Sequence, residues 1–346
     1  MLKSLKIENF RCFRSFELQQ LGRLNLLVGT NNSGKTSILE AIQLLSSRPN
    51  FESLGGLMIG RGEYILSNES DGQIELDIRH LFYGNEINIG STFSVFDSSH
   101  DNGEKITISI EEEQNQQRSN LIIENSRMKT ILPLSSEGGL VFNLSYFRRS
   151  RKDFKHPSHL ITSSSLTTET MIELFDQVVL TPEEDLVTGA LQILEPNVER
   201  IAIIGSEKFR KNGVRSGFVV RFSDSDQRIP IGSMGDGMWR MLGLTLAIVN
   251  ARNGVLLVDE IDTGLHFSTM SKMWKLIWET AKRLNVQVFA TTHSNDCWTS
   301  LAAIASAENP SEEGITIQRI EKGKPHSIVF TERQVAIAAE RGIEVR

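Results

Sequence analysis

Hydrophobic positions change their period several times along the chain, and each change marks an element. In residues 1–20, Leu2, Ser4 and Lys6 alternate with Leu5 and Ile7, and the chain then passes through Asn9, Phe10 and Arg11 to a second short run, Phe13 to Leu18. That pattern predicts a β-hairpin or meander. Leu24, Leu26, Leu27 and Val28 form an apolar run suited to a strand covered on both faces, and Ile38, Ala41, Ile42 and Leu45 follow at helical spacing. From about 51 to 140 the pattern is β-rich, with period-two alternation at 73–78, 85–96, 104–113 and 120–125, broken by the turn-forming segments 67–72 and 98–103. A further buried strand is expected over 138–147.

Thr168 is placed to cap a helix with Met171, Leu174, Phe175, Val178 and Val179 on its apolar face. Residues 181–194 start another, with Pro182 in the first turn. Residues 198–205 and 216–222 read as strands. The run 238–250 is apolar nearly all round and must be a buried helix. Strands at 255–258 and 286–294 follow, and the tail reads as two strands and a closing helix.

Chemistry enters at the turn between the first apolar strand and its helix. Gly29, Gly34, Lys35 and Thr36 fit G-x-x-x-x-G-K-[ST], and the strand–turn–helix context is the one this motif needs. Its glycines let backbone N–H groups converge on phosphate oxygens, beside the positive end of a helix dipole. Asn31, Asn32, Ser33, Gly34, Lys35, Thr36 and Ser37 are therefore candidate nucleotide-binding residues. Lys35 reaches toward the β and γ phosphates of ATP, and Thr36 supplies a hydroxyl to Mg2+. A second small-residue corner, Ser233, Gly235 and Gly237, opens the apolar helix and reads as another anion nest. The strand 255–258 ends in Asp259 and Glu260, a pair that is costly at a buried strand end without a compensating cation. Asp259 is the candidate metal ligand and Glu260 the candidate base. His293, at the end of the following strand, is a candidate γ-phosphate sensor.

With 346 residues the chain suffices for one large α/β domain or two ordinary ones. Its net charge of −6 gives no blanket case for nucleic acid. One basic cluster stands out: Arg148, Arg149, Arg151, Lys152, Lys155 and His156. A solvated loop and a contact to nucleic acid or a partner both remain open there. Cys12 and Cys297 belong to no C-x-x-C pair, so a disulfide scaffold or cysteine zinc site is not expected. The chain has neither an apolar run of spanning length nor the h-region of a signal peptide, so a soluble, cytoplasmic protein without a membrane partner is expected.

The opening LKIENFRCFRSFEL, followed closely by LNLLVGTNNSGKTSILEAI, resembles RecF-like and SMC-like ATPases of the ABC type. The resemblance extends to a loosened S-x-G-x-G signature at 233–237, the Walker B segment GVLLVDEID, a D-loop at IDTGLH and a switch histidine at His293. The form D-E-x-x-x-x-L-H is that of OLD-type antiphage defence ATPases, within an AAA15/AAA21-type group. The resemblance implies an α/β fold: an ABC-type P-loop NTPase head with a mainly parallel core sheet, an antiparallel β lobe and a helical subdomain.

The whole of 1–346 is expected to form one head. Its parts are the hairpin and P-loop (1–50), the β-rich lobe (51–147), a basic segment with helical and β insert (148–228), and the signature-to-cap segment (229–346). No Toprim domain or long coiled coil is expected, and no glutamine matches a Q-loop. By the same resemblance Arg11 approaches the phosphates, while Asp262 and His266 report on a neighbouring subunit's nucleotide.

The implied mechanism is ATP hydrolysis with Glu260 as base, in a homodimer or higher homo-oligomer joined head to tail through ATP. The expected function is sensing or regulation of a separate effector, a nuclease or toxin, in antiphage defence. The alternative is a RecF-like DNA-binding clamp in repair, contacting nucleic acid through Arg148, Arg149, Arg151 and Lys152. A stand-alone nuclease and a transporter ATPase are less favoured.

Overall fold

The computed structural model describes residues 1–46, 51–66, 73–99, 103–112, 119–143, 158–162, 165–204, 217–307 and 313–345. The chain forms two compact units. The first comprises Met1–Leu21, Asn32–His156 and Ile320–Ile328; the second comprises Gly22–Asn31, Pro157–Arg319 and Val329–Arg346.

In the first unit, β1 (Leu5–Phe10) and β2 (Phe13–Leu18) form the expected hairpin. Positive φ at Asn9 (55°) and Arg11 (54°) lets the chain reverse between the paired Phe10 and Phe13. With β6 (Thr92–Phe96), β7 (Lys105–Glu112), β8 (Ser119–Asn125) and β9 (Lys129–Pro133) they make an antiparallel sheet of order β2-β1-β6-β7-β8-β9. Phe10, Phe82 and Phe93 cluster with ring centroids 5.0 and 5.2 Å apart. Helix α1 (Lys35–Ser46) buries Ile38, Leu39, Ala41, Ile42 and Leu44 and packs on this sheet. A smaller sheet, β10-β5-β4, joins Leu140–Asn143, Gln73–Leu76 and Tyr64–Leu66.

Two readings of this region are corrected. Residues Phe51–Arg61 form a helix, α2, ahead of the strands. Its buried Leu54, Leu57 and Met58 recur at helical spacing, and Gly55 leaves room for the Phe142 ring, which would lie 2.3 Å from a Cβ there. The strand expected over 85–96 begins only at Thr92, because positive φ at Asn85 and Gly90 breaks the extended backbone. The part of the expected strand beyond Asn143 lies outside the described residues.

The second unit is built on a six-stranded sheet of order β11-β15-β16-β3-β17-β18. Its strands are Ser158–Ile161, Val255–Val258, Gln287–Thr291, Leu24–Val28, Ile315–Arg319 and Ile328–Thr331. Every pairing from β11 to β17 is parallel. All residues of β3 and β16 are buried, as their apolar runs require. The one polar side chain within β3, Asn25, is hydrogen-bonded to Gly22, Val288 and Thr316, so its burial is compensated. Edge strand β11 was not legible in the sequence; four residues long, it is fixed by its register with β15, Ser158 opposite Val255.

The helices of this unit are α3 (Thr168–Asp176), α4 (Glu184–Gln192), α5 (Asp236–Asn250), α6 (Phe267–Leu284), α7 (Asn295–Ala307) and α8 (Glu332–Glu340). Thr167, not Thr168, caps α3, its Oγ accepting from Thr170 N at 3.3 Å. Every residue of α5 from Met238 to Val249 is buried. A three-stranded sheet, β12-β13-β14 (Val198–Ile203, Phe218–Phe222, Ser225–Pro230), completes the unit. Among the described residues no helix is long and apolar enough to cross a membrane.

Candidate functional site

Because β15, β16 and β3 are adjacent and parallel, the residues that follow them leave the sheet along one edge. Gly29 after β3, Asp259 and Glu260 after β15, and Thr292 and His293 after β16 thus collect at the carboxyl edge of a single sheet. In an open α/β sheet this is where ligands bind.

The loop after β3 has left-handed or otherwise glycine-type φ at Gly29 (144°), Asn32 (60°) and Gly34 (99°), the alternation that turns backbone N–H groups into a concave cradle. Gly34 is required twice over. Its φ is positive, and a Cβ there would lie 2.3 Å from Phe13 Cζ and 2.8 Å from Cys12 Sγ. Its carbonyl accepts from Ile38 N at 3.0 Å as α1 begins. Ser33, Lys35 and Ser37 are buried, Thr36 is half-buried, and Asn31 and Asn32 are exposed. The Cys12 thiol is pushed up by burial, against a hydrogen bond from Ser37, so it is not the activated thiolate that nucleophilic chemistry would require.

The end of β15 is held on every side. Asp259 N donates to Ile161 O at 2.8 Å, Glu260 N to Thr291 Oγ at 2.8 Å and Ile261 N to Thr291 O at 3.0 Å. Thr291 Oγ in turn donates to Asp259 Oδ1 at 2.6 Å. From α5, Arg240 Nη2 donates to the carbonyls of Asp259 (2.8 Å) and Glu260 (2.9 Å), and Nη1 donates to Thr162 O at 2.6 Å. Burial lowers the Arg240 pKa, while the neighbouring Asp259, Asp262 and Glu260 act to raise it; a guanidinium remains charged in either case. Glu260 has φ 48°, a left-handed conformation that surrounding contacts must stabilise in a residue other than glycine.

Ser233 and Gly235 are exposed, and Gly235 has open space where a Cβ would be. Gly237, one turn into the same corner, approaches the next segment closely: a Cβ there would lie 2.8 Å from Gly264 O. The segment 262–265 is therefore in backbone contact with the start of α5. Asp262 accepts from Thr292 Oγ at 2.6 Å, and Thr292 Oγ also accepts from Ser294 N at 2.9 Å, beside the half-buried His293. His266 is exposed and caps α6, with Nδ1 2.9 Å from Ser268 Oγ and its ring centroid 4.2 Å from that of Phe267.

Arg11 is buried among carboxylates of the first unit. It is 8% exposed; its Nε lies 3.0 Å from Glu40 Oε2, Nη1 pairs with Glu63, and Nη1 also donates to His80 O at 3.2 Å. Arg61 Nε bonds the other Glu40 oxygen at 2.5 Å. The basic cluster at 148–156 lies outside the described residues.

Sequence reasoning missed the fastening of the site: Thr291, Arg240 and the carboxylates around Arg11. Arg240 did leave a signal, as the one cation in a run otherwise apolar nearly all round. In the first unit, backbone N–H groups of the phosphate loop and Lys35 suit phosphate, and the Thr36 hydroxyl is a hard oxygen donor of the kind magnesium takes; at the sheet edge of the second unit the Asp259 carboxylate is another.

Comparisons with known proteins place the chain among its relatives. A family model described as "AAA domain, putative AbiEii toxin, Type IV TA system" matches residues 24–296. An ATP/GTP phosphatase of Helicobacter pylori is 20% identical over 328 residues, covering 86% of this chain and 86% of that protein. A DNA replication and repair protein RecF of Clostridioides difficile is 46% identical over 52 residues, which are 15% of this chain and 14% of that protein. The solved SMC head bound to the C-winged helix domain of ScpA superposes with a TM-score of 0.53 at 14% identity, covering 95% of this chain and 97% of that one. That likeness concerns the fold. Since the matched segment spans well over half of the sequence, the chain belongs to this AAA-domain family and is an ATPase, similar in sequence to RecF over a short segment and in fold to the SMC head.

Proposed function

We propose that the protein binds and hydrolyses ATP between two copies joined head to tail, and that this cycle regulates a separate effector in antiphage defence. Supporting the first part is the contrast between the buried Lys35 of the phosphate loop and the exposed Ser233 and Gly235 of the signature corner. A lid with small exposed residues at a helix start suits the phosphates of a neighbouring copy. The family's description, which names a toxin and a toxin–antitoxin system, supports an effector role.

In this mechanism backbone N–H groups of residues 31–36 and the Lys35 ammonium hold the β and γ phosphates. Glu260 accepts a proton from the attacking water, ADP and phosphate leave, and His293 hydrogen-bonds the γ phosphate and so distinguishes the states. Thr291 keeps the Asp259 carboxylate oriented. Thr36 and Asp259 would hold magnesium, which would supply positive charge against the phosphates.

The test is solution mass with and without ATP. Glu260→Gln retains ATP and forms a stable dimer, with turnover lower by about 10²–10⁴-fold; Lys35→Ala does neither. An ATP-saturated Glu260→Gln protein that stays monomeric overturns head-to-tail closure. A second reading, the RecF-like clamp, draws on the short RecF match. Duplex DNA binding with a steep salt slope, lost when Arg148, Arg149 and Arg151 are neutralised, would favour it.

A further inference from the structure

We propose that Arg240 is a positioning residue that ties the pose of Glu260 to the position of α5, and so lets the Ser233–Gly237 corner set the rate of hydrolysis. The inference rests on the reading of Glu260 as the base.

Arg240 is 3% exposed, on a helix whose neighbouring positions are filled by apolar side chains. Burying a guanidinium is costly, and an apolar residue of similar size would fill the space at less cost. What the arginine adds is a planar fork. Its donors reach the carbonyls of Asp259, Glu260 and Thr162 together, at 2.6 to 2.9 Å. A lysine ammonium is a point donor and cannot span the same three acceptors. Two of those acceptors belong to the residues assigned to metal binding and proton transfer, and one of them, Glu260, holds a left-handed backbone. Pinning its carbonyl from α5, while Thr291 Oγ accepts from its N–H, fixes the peptide planes on both sides of that residue.

The second link lies at the helix start, where Gly237 meets Gly264 O. Segment 259–264 is thus gripped by α5 at both ends, at Asp259–Glu260 through Arg240 and at Gly264 through the Gly237 backbone. Displacement of the α5 start by a nucleotide on a neighbouring copy therefore reaches Glu260 without any contact between that nucleotide and Arg240. A positioning role of this kind acts on the chemical step, because a small misplacement of a reacting group lowers the rate while leaving substrate binding intact.

The experiment compares wild type with Arg240→Lys in single-turnover ATP cleavage, steady-state kinetics and binding of a fluorescent ATP analogue. Arg240→Lys is expected to bind the analogue and show KM within about threefold of wild type, with kcat lower by about 10²-fold. A folded Arg240→Lys with wild-type kcat overturns the proposal, as does a binding loss equal to its loss of rate. A wild-type protein that binds ATP without turning it over overturns the ATPase reading itself, a result distinct from either. If Arg240→Lys does not fold, hydrogen exchange in the wild-type protein decides. With a non-hydrolysable ATP analogue in place of ADP, amides of 235–241 and 259–265 must change protection together; a change confined to one segment overturns the coupling.

Discussion

Arg11 and Arg240 are both buried arginines, one in each unit, and the chain compensates their charges in different ways. Arg11, at the hairpin turn, is matched by the carboxylates of Glu40 and Glu63, with Arg61 completing a cluster of two cations and two anions. Arg240, on α5, donates to the backbone carbonyls of Thr162, Asp259 and Glu260, with Asp259, Asp262 and Glu260 acting on it through space. The first arrangement fixes side chains to one another, so each member depends on the others' charges. The second fixes backbone, so side chains nearby can be exchanged without breaking it. A cluster of the first kind leaves an uncompensated buried charge when one of its buried members is removed. An arrangement of the second kind leaves the acids at the sheet edge available for chemistry.

That contrast can be broken by truncating the acids on each side. Glu40→Ala should be the most damaging, lowering stability by about 3–5 kcal/mol in chemical denaturation, since both Arg11 and Arg61 lose their shared carboxylate. A loss under 1 kcal/mol would mean that carboxylate compensation is not what holds Arg11. Thr291→Val removes one hydroxyl that serves both Asp259 and Glu260; it should cost about 1–3 kcal/mol and lower turnover more than ATP affinity. Arg61→Ala takes away a partner whose side chain is 35% exposed; solvent screening limits its denaturation cost to roughly 0–1 kcal/mol. Glu260→Gln should be the mildest in stability, within about 0.5 kcal/mol of wild type, because Arg240 bonds the carbonyl of residue 260 and not its carboxylate. A large loss of stability in that variant would place Arg240 in the same class as Arg11.

Much of the candidate site could be read from the sequence because its signals are local. Gly34 with Lys35, the apolar run ending at Asp259, and His293 after an apolar strand each carry their meaning within about ten residues. Parallel pairing then brings Gly29, Asp259 and His293 to one edge of the second unit's sheet. What holds them there was not readable. Thr291 lies 32 residues from Asp259, and Thr162 lies 78 from Arg240, separations at which no periodicity speaks. Arg11 shows the same limit. Its position in the hairpin was evident, but Glu63, its partner 52 residues on, sits just past a helix that the β-rich pattern of 51–140 had concealed. Strand β11 was missed because four residues have no period of their own and take their identity from β15.

The interleaving of the two units has a practical consequence for dissecting the protein. The chain passes from one to the other five times, within the phosphate loop between Asn31 and Asn32 among other places. No single cut, and no terminal deletion, can therefore yield one unit whole. A nick in the loop between those two asparagines would separate Gly29 from Lys35 without removing a residue, so dissecting the roles of the halves calls for point substitutions in the intact polypeptide.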